Sequence, residues 1–243
     1  MSFLEIVIIF SVIIFLAYFI QAITGFAGAL FSVPLLALFF DIKFVVPVSS
    51  IITLLAGFSL LPSIKIKKHI DKKELLFVFG GAVIGTAIGT YFLKSFTSET
   101  LKIIFAIVVI IFALRMIFEK YFSFKKIKSY FGVIFGTLGG ITGGMFSTSG
   151  PPFVLYLGNQ IKNKRVLRGT LISVLLSISI WRNGLYFFSG MFNSQIYKIT
   201  ALMIPVLIIA AILGSKVHLK ISESFYRKLI GIILVLSGAL LIF

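Results

Sequence analysis

The chain has no cysteine, two histidines, one tryptophan and only seven acidic residues in a length of 243. Without cysteine there is no disulfide, no thiolate metal site and no chemistry that passes sulfur through a protein thiol. The seven acids (Glu5, Asp41, Asp71, Glu74, Glu99, Glu119, Glu223) all fall at the ends of apolar stretches or between them, as do His69 and His218. Cation and metal pathways through a membrane rely on buried carboxylates. Cation transport is therefore disfavoured, no metal or cofactor is expected, and a proton relay through Asp, Glu or His is poorly supplied. Charge of any sign is scarce, at 12% of residues against about 25% in soluble proteins.

Apolar residues fill the gap. They make up 59% of the chain, and the mean hydropathy is +1.15. A soluble globule of this size cannot hide so much apolar surface from water. A soluble enzyme, a nucleic-acid-binding module and a disordered tail are excluded. Lipid is the solvent for most of the chain.

A spanning helix needs about 20 apolar residues, and ten candidate segments follow: Phe3–Ile23, Gly25–Phe40, Phe44–Ile64, Leu75–Leu93, Leu101–Phe118, Tyr130–Phe146, Pro151–Ile161, Gly169–Gly190, Ile196–Val217 and Phe225–Phe243. The fold class is all-α, a polytopic integral membrane protein. Segments two and seven are short and follow glycine-rich breaks without charge, the pattern of half-helices or re-entrant hairpins. Phe3–Ile23 lacks the basic flank of a signal peptide, with Glu5 its only charge, and reads as a retained helix.

The net charge is +16, but its distribution points to loops and lipid headgroups, not to nucleic acid. Eighteen Lys and Arg lie on alternate connections, after segments three, five, seven and nine. The intervening connections carry Lys43, Lys94, Lys102 and Lys198. By the positive-inside rule the eighteen face the cytoplasm and both termini lie outside. The expected location is the plasma membrane of a prokaryote, with a bilayer and a small anion as partners; a homo-oligomer is compatible with the sequence.

The chain also repeats itself. Ala22-Ile-Thr-Gly-Phe-Ala-Gly-Ala-Leu-Phe-Ser-Val-Pro34 is echoed 118 residues later by Gly140-Ile-Thr-Gly-Gly-Met-Phe-Ser-Thr-Ser-Gly-Pro-Pro152. Farther on, Gly89 meets Gly214. The division is residues 1–120, a cytoplasmic linker at 121–128, and residues 129–243. Five segments per copy turns the second copy upside down relative to the first. Inverted repeats are the architecture of secondary transporters, whose sites sit near the midplane at broken helices.

Breaks in lipid expose backbone groups at a cost of several kcal/mol each unless something satisfies them. They persist where they line a cavity. The breaks supply the candidate site: Thr24, Gly25, Phe26 and Gly28 in the first copy, and Thr142, Gly143, Gly144, Ser147, Thr148, Ser149 and Gly150 in the second. Pro34 and the Pro151-Pro152 pair are expected near the first turn of the helices that follow. Such helices turn free N–H groups and partial positive charge toward the gap, which makes an anion site. Ser32, Ser49, Ser50, Thr53, Thr170 and Ser173 can add hydroxyls. The competing reading of these small residues is close helix packing.

Arg182, followed by Asn183, completes the candidates. It lies thirteen residues into the eighth segment, about 20 Å along a helix. No carboxylate lies at that depth. A buried guanidinium fork suits an oxyanion; the alternative is a side chain that reaches outward to headgroups beside Trp181.

With these motifs in view, the sequence resembles the sulfite exporter TauE/SafE family over nearly its whole length. The carriers are the stretch Thr24 to Leu36, the stretch Gly139 to Tyr156, and Arg168-Gly169-Thr170. The resemblance implies transport, often outward, of sulfite, sulfoacetate or other sulfonates. The chain departs from the usual glycines at Ala27, Ala29, Ser147 and Ser149. Together these readings anticipate a secondary transporter of a small sulfur-containing or organic oxyanion, working by alternating access. Another small anion such as a carboxylate, or an accessory subunit without transport of its own, are the alternatives. A serine hydrolase lacks a base inside the membrane, so no enzyme is expected.

Overall fold

The computed structural model describes residues 2–24, 28–60, 69–118, 127–216 and 223–242, without the side chains of residues 24, 60 and 223–230. Ten helices follow one another: α1 (Phe3–Thr24), α2 (Gly28–Ala37), α3 (Ile42–Leu60), α4 (Lys72–Ser95), α5 (Ser98–Ile117), α6 (Phe131–Phe146), α7 (Gly150–Gln160), α8 (Lys164–Phe188), α9 (Ser194–Lys216) and α10 (Glu223–Ile242). Among the described residues, six of them are long and apolar enough to cross a membrane: α1, α3, α4, α5, α8 and α9. Helix is the form in which an isolated apolar segment satisfies its own backbone in lipid. Polar caps sharpen the ends outside it. The Asp71 side chain accepts the Glu74 N–H at 3.1 Å to start α4, and Asn163 accepts from Arg165 at 3.0 Å to start α8.

The arrangement is inside-out relative to a soluble protein. Leu16, Ile84, Ile107, Ile111, Ile208 and Leu236 face outward, each at least half exposed, whereas Ser32, Ser49, Ser50, Thr86 and Arg182 are buried. An outer surface this apolar is stable only against lipid.

The closest helix pair is α4 with α6, and glycine makes it. Gly81, Gly85 and Gly89 of α4 lie against the carbonyls of Val133, Thr137 and Ile141, while Gly136, Gly140 and Gly144 of α6 lie against those of Val78, Ala82 and Thr86. The i, i+4 spacing puts each trio on one helix face, and each glycine sits where a Cβ would collide with a carbonyl oxygen of the opposite helix. This is the small-residue packing of membrane helices. The pairings have a mirrored pattern: α4 packs on α6 as α1 packs on α9, α4 on α8 as α9 on α3, and α1 on α2 as α6 on α7.

Side-chain bonds gather the connections at two ends. At one, Ser98 donates to Asp41 at 2.7 Å, Lys43 to the Lys94 carbonyl at 3.3 Å and Lys94 to the Ser189 carbonyl at 3.4 Å. At the other, the Asp71 N–H donates to Thr170 at 2.9 Å, Gln160 to the Ile127 carbonyl at 2.8 Å and Ser129 to Glu74 at 2.7 Å. The second end carries the lysine- and arginine-rich connections and is called the basic end below.

Expectation and structure differ in two places, and two expectations reach beyond the described residues. The third segment was expected to reach Ile64, but residues 61–64 lie outside the described residues, as do positions 121–126 of the expected linker. The eighth helix opens at Lys164 and not at Gly169, because the Asn163 cap recruits a charged first turn that hydropathy ignores. Pro34 is not at a helix start. It lies inside α2, the seventh of its ten residues, because the chain turns helical directly at Gly28, whose N–H finds a side-chain acceptor in Gln21 at 3.0 Å. Pro34 thereby leaves the Leu30 carbonyl without its usual i+4 donor.

A candidate anion site between two half-helices

The two shortest helices are α2 with 10 residues and α7 with 11. Helix α2 leads into the connection held at the end opposite the basic one, and α7 leads into the basic end, so they run in opposite directions and their N-termini point at each other. Gly28, Ala29 and Leu30 of α2 and Gly150 and Pro151 of α7 line one cavity of about 60 Å³. Ser147, Thr148 and Ser149 contribute from the second break, Thr53 and Gly57 from α3, and Ile172, Leu175, Leu176 and Ser179 from α8.

The two half-helices offer different things. The first four N–H groups of any helix have no carbonyl inside it. In α7, Pro151 and Pro152 occupy the first positions and supply no N–H. That side of the cavity therefore depends on the Gly150 N–H and on its hydroxyls. The Ser149 Oγ is buried and has no hydrogen-bond partner, although the residue lines the cavity. Ser147 is spoken for: it donates to the Val46 carbonyl at 3.0 Å. It also holds a left-handed backbone at φ 58, the conformation that lets α6 stop and α7 begin within four residues. Its N–H closes on the Gly143 carbonyl at 2.8 Å, and the Gly144 carbonyl accepts from the Tyr186 hydroxyl at 2.7 Å. Two of the last four carbonyls of α6 are thus satisfied.

Arg182 stands one layer behind the wall. It is 1% exposed, so it does not reach outward to headgroups. Its Nε donates to Ser50 at 2.9 Å and an Nη to Ser179 at 3.3 Å. Those bonds use two of its five donors. No carboxylate bonds it among the described residues. Ser179 lines the cavity, and Gly143 brings Ser149 and an Arg182 Nη close together: a Cβ there would collide with the Ser149 Oγ and lie 3.8 Å from that nitrogen. Asn183 ties α8 to α3 through the Ser50 carbonyl at 3.2 Å, with its own Oδ1 unpartnered.

The remaining expected residues fall in several places. Gly25 and Phe26 lie outside the described residues, as does the Thr24 side chain. Ser32 and Ser49 are buried with unpartnered hydroxyls but do not line the cavity. Thr142 bonds its own helix at the Gly139 carbonyl, 3.2 Å away, and Gly144 packs on α4. Thr170 is at the basic end, accepting the Asp71 N–H. Sequence reasoning missed Gln21, Tyr18 and Ser179. The available signal for Gln21 was an amide in an apolar helix one turn before a break. It also passed over Glu74, which is 5% exposed and accepts from both Tyr156 and Ser129. No three His, Asp or Glu side chains come together among the described residues.

An apolar exterior and six helices long and apolar enough to cross a membrane define a polytopic membrane protein, with an interior cavity between facing helix starts. A profile of the sulfite exporter TauE/SafE family matches residues 10–241. The chain belongs to that family. It is 29% identical over 104 residues to a protein of Cupriavidus necator named as a probable sulfite/organosulfonate exporter TauE, a match covering 43% of this chain and 41% of that one. The chain thus aligns with about two fifths of the length of the curated relative it matches. No solved structure matches it.

Proposed function

We propose that this chain is a secondary transporter that carries a small sulfur-containing oxyanion, sulfite or a short sulfonate, out of the cell by alternating access. The observation that carries the reading is the convergence of two opposed half-helix starts on one cavity whose wall includes Ser149, a residue with a buried, unpartnered hydroxyl. Each helix start contributes about half a positive charge, and Arg182 adds a full one from behind the wall. A site beside an arginine that bonds no carboxylate among the described residues is completed by an anion. The cavity of about 60 Å³ matches about four waters at ~15 Å³ each. Sulfite fits such a space; a larger sulfonate requires the chamber to open.

The reading extends to the architecture. Residues 1–120 and 129–243 are two copies of one five-helix unit inserted in opposite senses, and rocking of one copy against the other exposes the chamber to each face in turn. The mirrored helix pairings support this, as do the matching places of Gly89 against the Ile141 carbonyl and Gly214 against the Phe19 carbonyl. The basic end faces the cytoplasm of a prokaryotic cell, and both termini lie outside. A hydrolytic role has little support. The Ser147 proton is committed to a carbonyl, and no base bonds Ser149 among the described residues.

Liposomes containing only the purified protein and loaded with radiolabelled sulfite test the proposal. Saturable efflux, inhibited by sulfoacetate or taurine and less by acetate, is the expected result. Preference for acetate would reassign the cargo to carboxylates. Absence of flux for all of these anions would overturn the transporter reading in favour of an accessory subunit.

A further inference from the structure

A second cavity, of about 370 Å³, lies between α1, α3 and α9 with Arg168 and Ser215 toward the basic end. Among the described residues Arg168 is its only charged lining residue; its walls are mostly apolar, and Ile208 and Ile212 of α9 are half exposed, so the cavity is open along the outer surface of the helices. Among the described residues one lines both this cavity and the smaller chamber: Gln21. Its neighbour on the same face of α1, Tyr18, joins the partition by sharing a hydrogen bond with Thr53 of the chamber at 3.0 Å.

Gln21 is buried, at 9% exposure, and its Oε1 accepts the N–H of Gly28 at 3.0 Å. That N–H is the first of α2 and belongs to the chamber wall. The contact is tight enough that a Cβ on Gly28 would collide with the Gln21 oxygen and lie 2.9 Å from the Tyr18 ring. The carboxamide is therefore wedged between the two cavities with its oxygen placed where an anion's oxygen would go. Across the chamber, Ser149 belongs to the wall, and its buried hydroxyl has no hydrogen-bond partner among the described residues.

Resting on the transporter reading, we propose that Gln21 admits cargo from the larger cavity to the smaller one, its carboxamide oxygen being a neutral occupant of the Gly28 N–H that an oxyanion displaces. The selectivity follows from the chemistry. A hydrogen bond to a charged acceptor is roughly twice as strong as one to a neutral acceptor. An oxyanion replaces the amide oxygen with a stronger acceptor, a neutral solute only matches it, and a cation offers none. A glutamate at this position would hold the N–H as firmly as the cargo and repel it besides. Arg168 at the mouth raises the local anion concentration without discriminating among anions.

The absence of cysteine makes thiol chemistry free of background. Leu175→Cys reports on the chamber and Ala211→Cys on the larger cavity. Both are reacted, as purified protein in detergent, with the anionic reagent sulfonatoethyl methanethiosulfonate and with its neutral methyl counterpart. Gln21→Ala and Gln21→Met are each expected to raise the anionic rate at Leu175→Cys about tenfold, the worth of one hydrogen bond. Gln21→Glu is expected to lower that rate by a similar factor and to leave the neutral reagent within about twofold. Ala211→Cys is expected to react alike in all backgrounds. Gln21→Met keeps the side-chain length and removes the acceptor, so it gives the answer even where Gln21→Ala does not fold. Equal rates at Leu175→Cys in every Gln21 background would overturn the proposal. Sulfite efflux from liposomes separates the two readings: flux with equal thiol rates removes the partition alone, and shifted thiol rates without flux remove the transporter.

Discussion

A buried charge without a counter-charge is costly to keep, and Arg182, which bonds no carboxylate among the described residues, is one. Desolvating an ion costs several kcal/mol even after the protein relaxes; here the compensation comes from two serine hydroxyls. Arg182→Met is expected to raise the thermal midpoint of the empty protein, or leave it unchanged, while abolishing saturable sulfite flux and the stabilisation that sulfite gives. A lowered midpoint with flux intact would make Arg182 a structural tie between α3 and α8. Ser149 separates structure from function in the same manner. Its hydroxyl has no partner, so Ser149→Ala is expected to keep the empty protein's stability within about 0.5 kcal/mol. The apparent KM for sulfite is expected to rise about ten- to hundredfold, for loss of one hydrogen bond to a charged acceptor worth about 1.5–3 kcal/mol. An unchanged KM in efflux assays would place the anion elsewhere. Both residues were legible in the sequence, because an arginine or a serine cluster inside an apolar stretch is conspicuous there. Gln21 was not: its importance comes from folding back onto Gly28, seven residues on, a contact no spacing rule anticipates.

At the scale of the element, glycine carries the packing, and neighbouring glycines carry it unequally. On α4, Gly80 faces open space, whereas Gly81 lies against the Val133 carbonyl of α6. Alanine at an open helical position gains up to about 1 kcal/mol of helix propensity, so Gly80→Ala is expected to match or exceed the native protein in thermal unfolding. Gly81→Ala has to push α6 away along a whole ladder of backbone contacts, and a loss of more than about 2 kcal/mol is expected, as for overpacking elsewhere. Equal midpoints for the two variants would mean that α4 and α6 do not approach as closely as described. The two trios, Gly81, Gly85, Gly89 and Gly136, Gly140, Gly144, are visible in the sequence as i, i+4 runs. Their pairing with one another is not, since a ladder of small residues fits any other ladder. Hydropathy likewise located all ten helices but misplaced Pro34, because it cannot see a side-chain acceptor waiting for the first N–H of α2.

At the scale of the whole molecule, charge and connectivity constrain each other. The side-chain bonds put the 3–4, 5–6 and 7–8 connections at one end and the 2–3, 4–5 and 8–9 connections at the other. This is the division that the alternation of lysine and arginine along the sequence anticipates. It holds only because α1–α2 and α6–α7 fold as hairpins from opposite ends, so a short helix returns the chain to the side it came from. Which end faces the cytoplasm then follows from the positive-inside rule alone. Single cysteines at Glu99→Cys, opposite the basic end, and Lys162→Cys, at the basic end, decide it. Both native residues are exposed, and the chain supplies no competing thiol. In sealed right-side-out membrane vesicles an impermeant maleimide is expected to label Glu99→Cys at once and Lys162→Cys only after permeabilisation. The reverse pattern would invert the molecule and turn the larger cavity, with Arg168 at its mouth, toward the outside. Equal labelling of both in sealed vesicles would mean that the protein inserts in both orientations, and a lysine-rich face would then have failed to choose a side.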